Sequence, residues 1–330
     1  MPVIAVFAII IGVAIGSVYI SPVNVIRVVM NQLFGAKLPE NFDSTATSII
    51  WQLRLPRVVL AFLVGACLSA SGAVIQSVLR NPLASPFTLG VSSGASLGAG
   101  LVIASGFTIP LLSMFTLPLA GLIFGLATVF FAIIFSAKID KNLESTTIVL
   151  CGMVLSMFIN GIFMLISGFS GEKMQQIIRW QMGSFSSKGW SYVFMLFPVL
   201  IISLIVLELF SKELDILTFG DEQASAIGVE TKKVKWILLI ISSVLTGCAV
   251  AFSGIIGFID LIAPHIVRKL FSSKHKYLVI LSALTGGIFM VIADLIGRTI
   301  ISPRELPIGA VTALIGAPFF AYVFFKRRKA

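Results

Sequence analysis

One acidic residue stands inside an otherwise apolar stretch of the sequence. Asp260 lies within the run 257–263, and no basic residue occurs three or four positions away from it. A charge at the centre of a bilayer costs about 3 kcal/mol or more on insertion scales, so this carboxyl group must face protein or a water-filled cavity. Two roles fit the residue: a proton-coupling group, or a structural hydrogen bond to another helix, of which the second is favoured.

Three arginines border apolar stretches at predicted helix ends. Arg54 and Arg57 precede the second stretch, and Arg298 follows Asp294 by four residues, so the latter two side chains share one helix face. Arg57 falls in a first helical turn, where the helix dipole disfavours a cation by up to about 1 kcal/mol, so another interaction must favour it. A docking patch for acidic groups of a soluble partner fits this pattern, and so do lipid headgroup contacts or an internal ion pair.

The longest polar segment between apolar stretches is 211–235. Within it, Thr218 followed by Asp221 resembles a capping box, Asp221 and Glu222 would lie in a first helical turn, and Gly228 is a natural stop. The segment therefore predicts a short helix rich in small residues. Two interpretations stay open: a rigid knob that inserts into a moving partner, or an ordinary solvated loop.

Other reactive residues lack the spacing that catalysis or metal binding requires. Cys67, Cys151 and Cys248 lie in apolar stretches without a CxxC pair, and His265 and His275 have no acidic or cysteine neighbours at ligand spacing. The sequence also contains no GxxxxGKS/T phosphate loop, no HExxH motif and no GxSxG motif. We therefore predict no catalytic residue, no metal site and no cofactor bound by this chain.

The composition requires that membrane-spanning helices position these residues. Of the 330 residues, 58% are hydrophobic and 12% are charged, which leaves too little polar surface to cover a soluble globule. About ten stretches reach the roughly 18 to 25 apolar residues that a helix needs to cross a bilayer. We predict an all-α polytopic membrane protein with a single transmembrane domain over 1–330. The expected spans are 3–20, 57–79, 88–106, 112–137, 146–168, 189–209, 236–253, 255–271, 277–297 and 307–325.

The charge pattern excludes a nucleic-acid-binding protein and predicts an orientation. The net charge is +10, but the basic residues sit in short loops between apolar spans, not on one solvated face. The positive-inside rule places the more basic loops, and both termini with them, in the cytoplasm. The first 20 residues lack the basic region that begins a signal peptide, so we expect a retained first helix.

Small residues and one amphipathic segment indicate how the helices pack. Gly90, Gly94 and Gly98 recur every four residues, as do Gly12 and Gly16, which predicts close helix contacts. Between the fifth and sixth spans, 172–182 is predicted to be a short external amphipathic helix at the membrane surface, ended by Gly183.

Five motifs in the same order resemble the FecCD permease family of ABC importers, which take up iron–siderophores, haem or cobalamin. The resemblance covers nearly the whole chain. The motifs are RLPR at 54–57, RNPLASP at 80–86, LGVSSGA at 89–95, GFIDLIAPHIVR at 257–268 and ELPIG at 305–309. The resemblance implies a ten-helix permease subunit of a type II ABC importer in a bacterial cytoplasmic membrane. It also implies three kinds of partner: a second permease, identical or paralogous; two ATPase subunits that bind ATP and Mg; and an extracytoplasmic substrate-binding protein.

The resemblance also assigns roles to residues of this chain. ATPase coupling falls to the segment Gly220, Asp221, Glu222, Ala224, Ala226 and Gly228, and docking of the binding protein falls to Arg54, Arg57 and Arg298. The fifth helix matches the gate region, and four of its residues near one face are expected on the translocation pathway: Met153, Met157, Asn160 and Met164. The family usually has glycine where this chain has Asp260, so we expect the helix packing at this position to differ from that of the family.

The leading hypothesis is an ATP-driven importer subunit, with an iron–siderophore as the expected substrate and haem or cobalamin as alternatives. The rival from another class is a secondary transporter driven by an ion gradient, which Asp260 would favour. A membrane-embedded enzyme lacks any supporting motif or paired intramembrane carboxylates.

Overall fold

The computed structural model describes residues 1–16, 18–39, 42–140 and 143–327, with side chains described to residue 322. Within these ranges the chain is helical and contains no β-strand. In chain order the α-helices are α1 (Pro2–Ala14), α2 (Pro22–Phe34), α3 (Ser44–Ser48), α4 (Leu55–Val78), α5 (Val91–Ser105), α6 (Ser113–Ile139), α7 (Ser145–Phe169), α8 (Met174–Gln181), α9 (Trp190–Leu209), α10 (Ser211–Leu217), α11 (Asp221–Ala226), α12 (Thr231–Ser253), α13 (Ile259–Leu270), α14 (His275–Thr299) and α15 (Ile308–Arg327).

Every predicted span coincides with one of these helices, and the all-α membrane fold is confirmed. In the described part of the chain, six helical segments are long and apolar enough to cross a membrane: Ser44–Val78, Pro110–Ile139, Ser145–Phe169, Trp190–Leu209, Thr231–Ser253 and His275–Thr299. Three shorter apolar helices accompany them: Pro2–Ala14, Val91–Ser105 and Ile308–Tyr322. The count of ten spans stays a prediction, because α1, α5 and α13 are shorter than the roughly 20 residues of a full crossing.

Helix α4 lies at the centre of the bundle and packs against α1, α9, α12, α13 and α14. Its most apolar window is 89% buried, whereas that of α7 is only 22% buried. A helix surrounded on all sides needs small residues, and α4 carries them at its closest contacts. A Cβ at Gly65 would collide with the backbone of Gly286 in α14, and one at Gly72 would collide with the backbone of Asp260 in α13.

The predicted glycine contacts are confirmed on α1 and α5. A Cβ at Gly94 or Gly98 would collide with backbone carbonyls of α6, and one at Gly12 would lie 2.9 Å from Val291 of α14. Gly90 differs, since it precedes α5 with a φ of +94°, a left-handed conformation that favours glycine. These glycines therefore bring helix backbones together.

Three short helices, α2, α3 and α10, were not predicted from the sequence. Helix α2 is amphipathic, burying Val25 and Val28 while Ile26 and Leu33 stay exposed. Helix α3 continues through a π-helical segment, Ile49–Arg54, directly into α4. Arg54, the last residue of this π-helical segment, contacts the end of α1.

Candidate functional site

Arg54 caps the end of α1. Its NH1 group donates to the carbonyl oxygens of Val13 at 3.0 Å and Ala14 at 3.3 Å, and its NH2 group donates to that of Val18 at 2.6 Å. The last carbonyls of a helix have no partner within the helix, so a buried guanidinium satisfies them. Arg54 is only 8% exposed. This cap explains why α1 ends at Ala14, six residues before the predicted end at 20.

Arg57 and Arg298 share one buried carboxylate. Arg57 NH2 lies 2.8 Å from Asp294 Oδ1, and its NH1 lies 2.6 Å from Glu305 Oε1. Arg298 Nε lies 3.4 Å from Asp294 Oδ2, and its NH2 donates to the Gly12 carbonyl. The predicted pairing of Asp294 with Arg298 on one helix face is thus confirmed. The structure therefore contains the internal ion pairs that were one of the open alternatives for these arginines.

A cleft of about 840 Å³ opens at this end of the bundle. Its lining includes four cationic side chains and one carboxylate: Arg54, Arg57, Lys188, Arg298 and Glu305. The cleft thus carries an excess of positive charge, although the guanidinium groups also bond inward. The role of Arg54, Arg57 and Arg298 in docking stays a prediction.

Helix α11 is fixed to the bundle by a buried lysine at the opposite end. Lys235 Nζ lies 2.6 Å from Asp221 Oδ2 and donates to the Leu143 carbonyl at 3.1 Å, while its side chain is fully buried. Arg80 NH2 approaches the same carboxylate at 3.7 Å. Ala224 is also buried in the core. Asp221 and Ala224 therefore anchor α11 to the bundle, and their role in ATPase coupling stays a prediction.

The predicted capping box at Thr218 is wrong. The Thr218 hydroxyl donates to the Asp215 carbonyl at 2.6 Å, so it bonds back to α10. Gly220, with a φ of +125°, separates α10 from α11 and turns Thr218 away from the amino terminus of α11. The predicted stop at Gly228 is confirmed: its φ is +96°, and its N–H donates to the Ser225 carbonyl at 3.0 Å.

The outer face of the segment around α11 is exposed and partly apolar. Glu222, Ala226 and Gly228 are exposed, as are two large apolar side chains that the sequence analysis did not single out, Phe219 at 74% and Ile227 at 70%. Large apolar groups on a polar connecting segment are typical of surfaces that bind another protein. In the sequence, only the position of Phe219 and Ile227 at the two ends of a predicted short helix could have indicated such a surface.

Asp260 is buried at the amino-terminal turn of α13. The Ser85 hydroxyl donates to its Oδ2, and its backbone carbonyl accepts from Gln76 Nε2 at 3.2 Å. One carboxylate oxygen, Oδ2, is thus hydrogen-bonded, by a donor that lies in a turn and not on a helix, whereas Oδ1 is buried without a hydrogen-bond partner among the described residues. Close packing is retained here because the glycine lies on the partner helix, at Gly72.

The four residues expected on the pathway share an exposed face of α7. Met153, Met157, Asn160 and Met164 are all exposed in the single chain. Among the described residues, a Cβ at Gly161 on the same helix would meet no atom within 4 Å. Helix α7 therefore presents an uncharged surface that this chain leaves uncovered, and its role as pathway stays a prediction.

The segment predicted as an external helix, 172–182, forms a short 3-10 turn at Gly171–Lys173 followed by α8. Ile177 is buried against Ile103 and Phe163, whereas Ile178 stays partly exposed. Its position at the membrane surface stays a prediction.

No group of three or more His, Cys, Asp and Glu residues that could hold a metal ion occurs in the described ranges. The structure nevertheless places His275 against Asp215, a carboxylate sixty positions away in the sequence. Sequence spacing alone could not reveal this pair.

Known proteins resemble the chain over its whole length. The model of the FecCD transport family matches residues 4–326. The ABC transporter permease protein YvrB of Bacillus subtilis (strain 168) is 42% identical, over 98% of this chain and 91% of that protein. The Fe(3+)-citrate import system permease protein YfmE of the same organism is 37% identical, over 97% and 92%. The cobalamin import system permease protein BtuC of Halobacterium salinarum is 36% identical, over 88% and 77%.

A solved structure agrees with these relatives. A metal-chelate type ABC transporter in an inward-facing conformation superposes with a TM-score of 0.86 and 32% identity, over 98% of this chain and 97% of that one. Helix order, the polar segment around α11 and the sequence motifs therefore point to one conclusion. The chain belongs to the FecCD transport family and is a multi-pass inner-membrane permease subunit of a type II ABC importer, in which a separate subunit hydrolyses ATP.

Proposed function

We propose that this permease carries an iron–siderophore complex, with haem and cobalamin as the alternatives. The observation that carries this proposal is the uncharged face of α7, formed by Met153, Met157, Asn160 and Met164. Thioether side chains are flexible and polarisable, so such a surface accommodates large chelates of varied shape without binding one of them tightly. The relative named for Fe(3+)-citrate supports iron, and the one named for cobalamin supports the alternative.

The two ends of the bundle fit different partners. The exposed segment with Phe219, Glu222 and Ile227 fits an ATPase subunit, which would bind ATP and Mg. We expect this chain itself to bind no cofactor. The cationic cleft at the other end fits acidic groups of an extracytoplasmic substrate-binding protein. A second permease, identical or paralogous, would cover α7, and two ATPases would serve the pair. This arrangement places α11 and both termini in the cytoplasm.

The geometry suggests how ATP hydrolysis moves the pathway. A displacement of α11 passes to α12 through the ion pair between Asp221 and Lys235, because the lysine is buried and also bonds the Leu143 carbonyl. Leu143 immediately precedes the region that leads into α7. Closure of the ATPases would therefore shift both α12 and α7, and so would open one end of the pathway while closing the other.

Uptake by the native complex tests the proposal. The complex is purified with its co-purifying subunits, reconstituted into vesicles with ATP, and offered a radiolabelled ferric siderophore, haem or cobalamin. We expect ATP-dependent uptake of the ferric siderophore and none with a proton or sodium gradient alone. Uptake of haem or cobalamin in its place would replace the proposed substrate. Uptake by the chain alone with only an ion gradient would overturn the importer and favour the secondary transporter.

A further inference from the structure

A partly buried polar contact joins α10 to α14. His275, the first residue of α14, has a fully enclosed ring whose Nδ1 lies 2.6 Å from Asp215 Oδ1. The same carboxylate oxygen accepts the backbone N–H of His275 at 3.0 Å. Asp215 belongs to α10, which leads directly into α11. Two hydrogen bonds to one carboxylate therefore fix the start of α14 to the helix that carries α11.

The contact continues from His275 into the centre of the bundle. His275 Nε2 lies 2.6 Å from the hydroxyl oxygen of Ser77, near the end of the central helix α4. Arg268 of α13 donates to the same hydroxyl oxygen at 3.2 Å and to the side-chain oxygen of Gln76 on α4. Gln76 in turn donates to the Asp260 carbonyl at 3.2 Å. One connected set of side chains thus links α10, α14, α4 and α13.

The chemistry of these contacts indicates a role beyond packing. Burying polar groups costs free energy unless each is hydrogen-bonded, and an apolar residue would fill the same space more simply. Satisfied polar networks fix relative positions more strictly than apolar contacts do, because their energy depends on direction and on distance. The network is also independent of the ion pair between Asp221 and Lys235, which leads to α12.

We propose that the set Asp215, His275, Ser77 and Arg268, here called the relay, makes α10, α14 and the end of α4 move as one body. Asp215 and His275 are then positioning residues that convert displacement of the coupling segment into opening of the pathway. This inference rests on the proposed ATP-driven function and assigns a second mechanical link, to α4, α13 and α14, beside the one to α12.

The first test separates ATP hydrolysis from transport. In the reconstituted complex, we expect His275→Ala and Asp215→Ala each to keep ATP hydrolysis within about twofold and to lower uptake by about tenfold or more, the scale of a typical coupling effect. Thr285→Ala is the matched control, because this hydroxyl on α14 donates to the Leu281 carbonyl of its own helix. Uptake that stays in proportion to hydrolysis in both relay variants would overturn the inference.

A second test applies if the alanine variants do not assemble into the complex, because it compares one assembled variant in two oxidation states. Asp215 bonds both the backbone and the ring of His275, so a disulfide engineered between the two positions would replace this contact with a covalent bond. The complex with the double variant Asp215→Cys and His275→Cys is prepared as one batch. Uptake is measured with the cysteines reduced and again after their oxidation. We expect low uptake when it is reduced and recovery of about half or more of wild-type uptake when the bond forms, since the disulfide restores the link between α10 and α14.

The single-cysteine variants, which cannot form this bond, serve as controls for the oxidation. Full uptake by the reduced pair, or no recovery on oxidation, would show that the relay does not transmit motion. The wild-type complex separates the two proposals. If wild type shows ATP-driven uptake and the variants keep the wild-type ratio of uptake to ATP hydrolysis, only the relay is contradicted. Absence of ATP-driven uptake by wild type would overturn the proposed function and the relay with it.

Discussion

At the scale of single residues, buried charges at both ends of the bundle form ion pairs within the chain. Asp294 pairs with Arg57 and Arg298, and Lys235 pairs with Asp221. Such pairing is expected in a bilayer whatever the function, because an unpaired charge is costly there. The arginines at the outer end therefore stabilise the fold through contacts within the chain. Any docking contact must use those of their atoms that still face the cleft.

Asp260 gives a prediction at this scale. Its carboxyl group accepts a hydrogen bond from Ser85, and an asparagine carbonyl accepts the same bond, so Asp260→Asn should leave ATP-driven uptake within about twofold of wild type. Asp260→Leu removes the acceptor, leaves the Ser85 hydroxyl unsatisfied and should destabilise the chain by about 1–3 kcal/mol. Uptake assays and thermal unfolding in detergent measure the two effects. A folded Asp260→Asn variant that no longer transports would instead indicate proton coupling.

Sequence reasoning succeeded at residues whose partners are local. The pair Asp294 and Arg298 lies one helical turn apart, and the lone charge of Asp260 is visible in any hydropathy reading. The partners of Arg54 and His275 are separated from them by up to 41 and 198 positions, and only the fold brings them together. Without an alignment, no pattern in one sequence connects such positions.

At the scale of helices, close approach is set by glycines that lie on the central helix. The backbone of Asp260 passes so near Gly72 that a Cβ there would collide with it. Helices α4 and α13 meet at this point, so the separation of their axes depends on the absence of a side chain. The relay and the Asp260 hydrogen bonds both lie along the same contact.

Gly72→Ala should therefore push α4 away from α13. Overpacking of this kind costs about 1–3 kcal/mol, so we expect a lower unfolding temperature in detergent. Gly161→Ala on α7 is the matched control, because its Cβ would meet no described atom within 4 Å and alanine favours a helix by up to about 1 kcal/mol. Equal stability of the two variants would contradict the close contact between α4 and α13.

The sequence predicted the long helices well and the short ones poorly. Continuous apolar stretches mark membrane helices, and each predicted span contains a helix in the structure. Helix α2 was missed because its apolar residues alternate with polar ones over 13 positions, and α10 because its seven residues are mostly polar. The end of α1 was misplaced because its cap comes from Arg54, outside the local sequence.

At the scale of the whole molecule, the two ends of the bundle differ in kind. One end gathers guanidinium groups around a cleft, and the other presents a short helix flanked by exposed apolar side chains. Under the proposed function, the helices between them transmit motion from one end to the other. Each end and the exposed face of α7 would then bind a different protein.

The apolar end gives a prediction about assembly. Ile227→Asp places a charge on the side chain that we expect at the centre of the ATPase contact, so the ATPase subunit should co-purify about tenfold less or worse. Ile178→Asp on α8 makes the same change on a partly exposed isoleucine at the opposite end and should leave co-purification unchanged. Quantitative mass spectrometry of the tagged permease measures both. Undiminished ATPase in the Ile227→Asp sample would remove this surface from the proposed contact.

The Arg54 cap has a consequence for how the protein is made. The first 20 residues contain no basic side chain, yet carbonyl oxygens at the end of α1 accept hydrogen bonds from the guanidinium groups of Arg54 and Arg298. During synthesis, the residues of α1 are made before Arg54, so these hydrogen bonds form only after the segment that carries Arg54 has followed. The contact from Arg298 forms later still, because that residue lies 286 positions after Gly12.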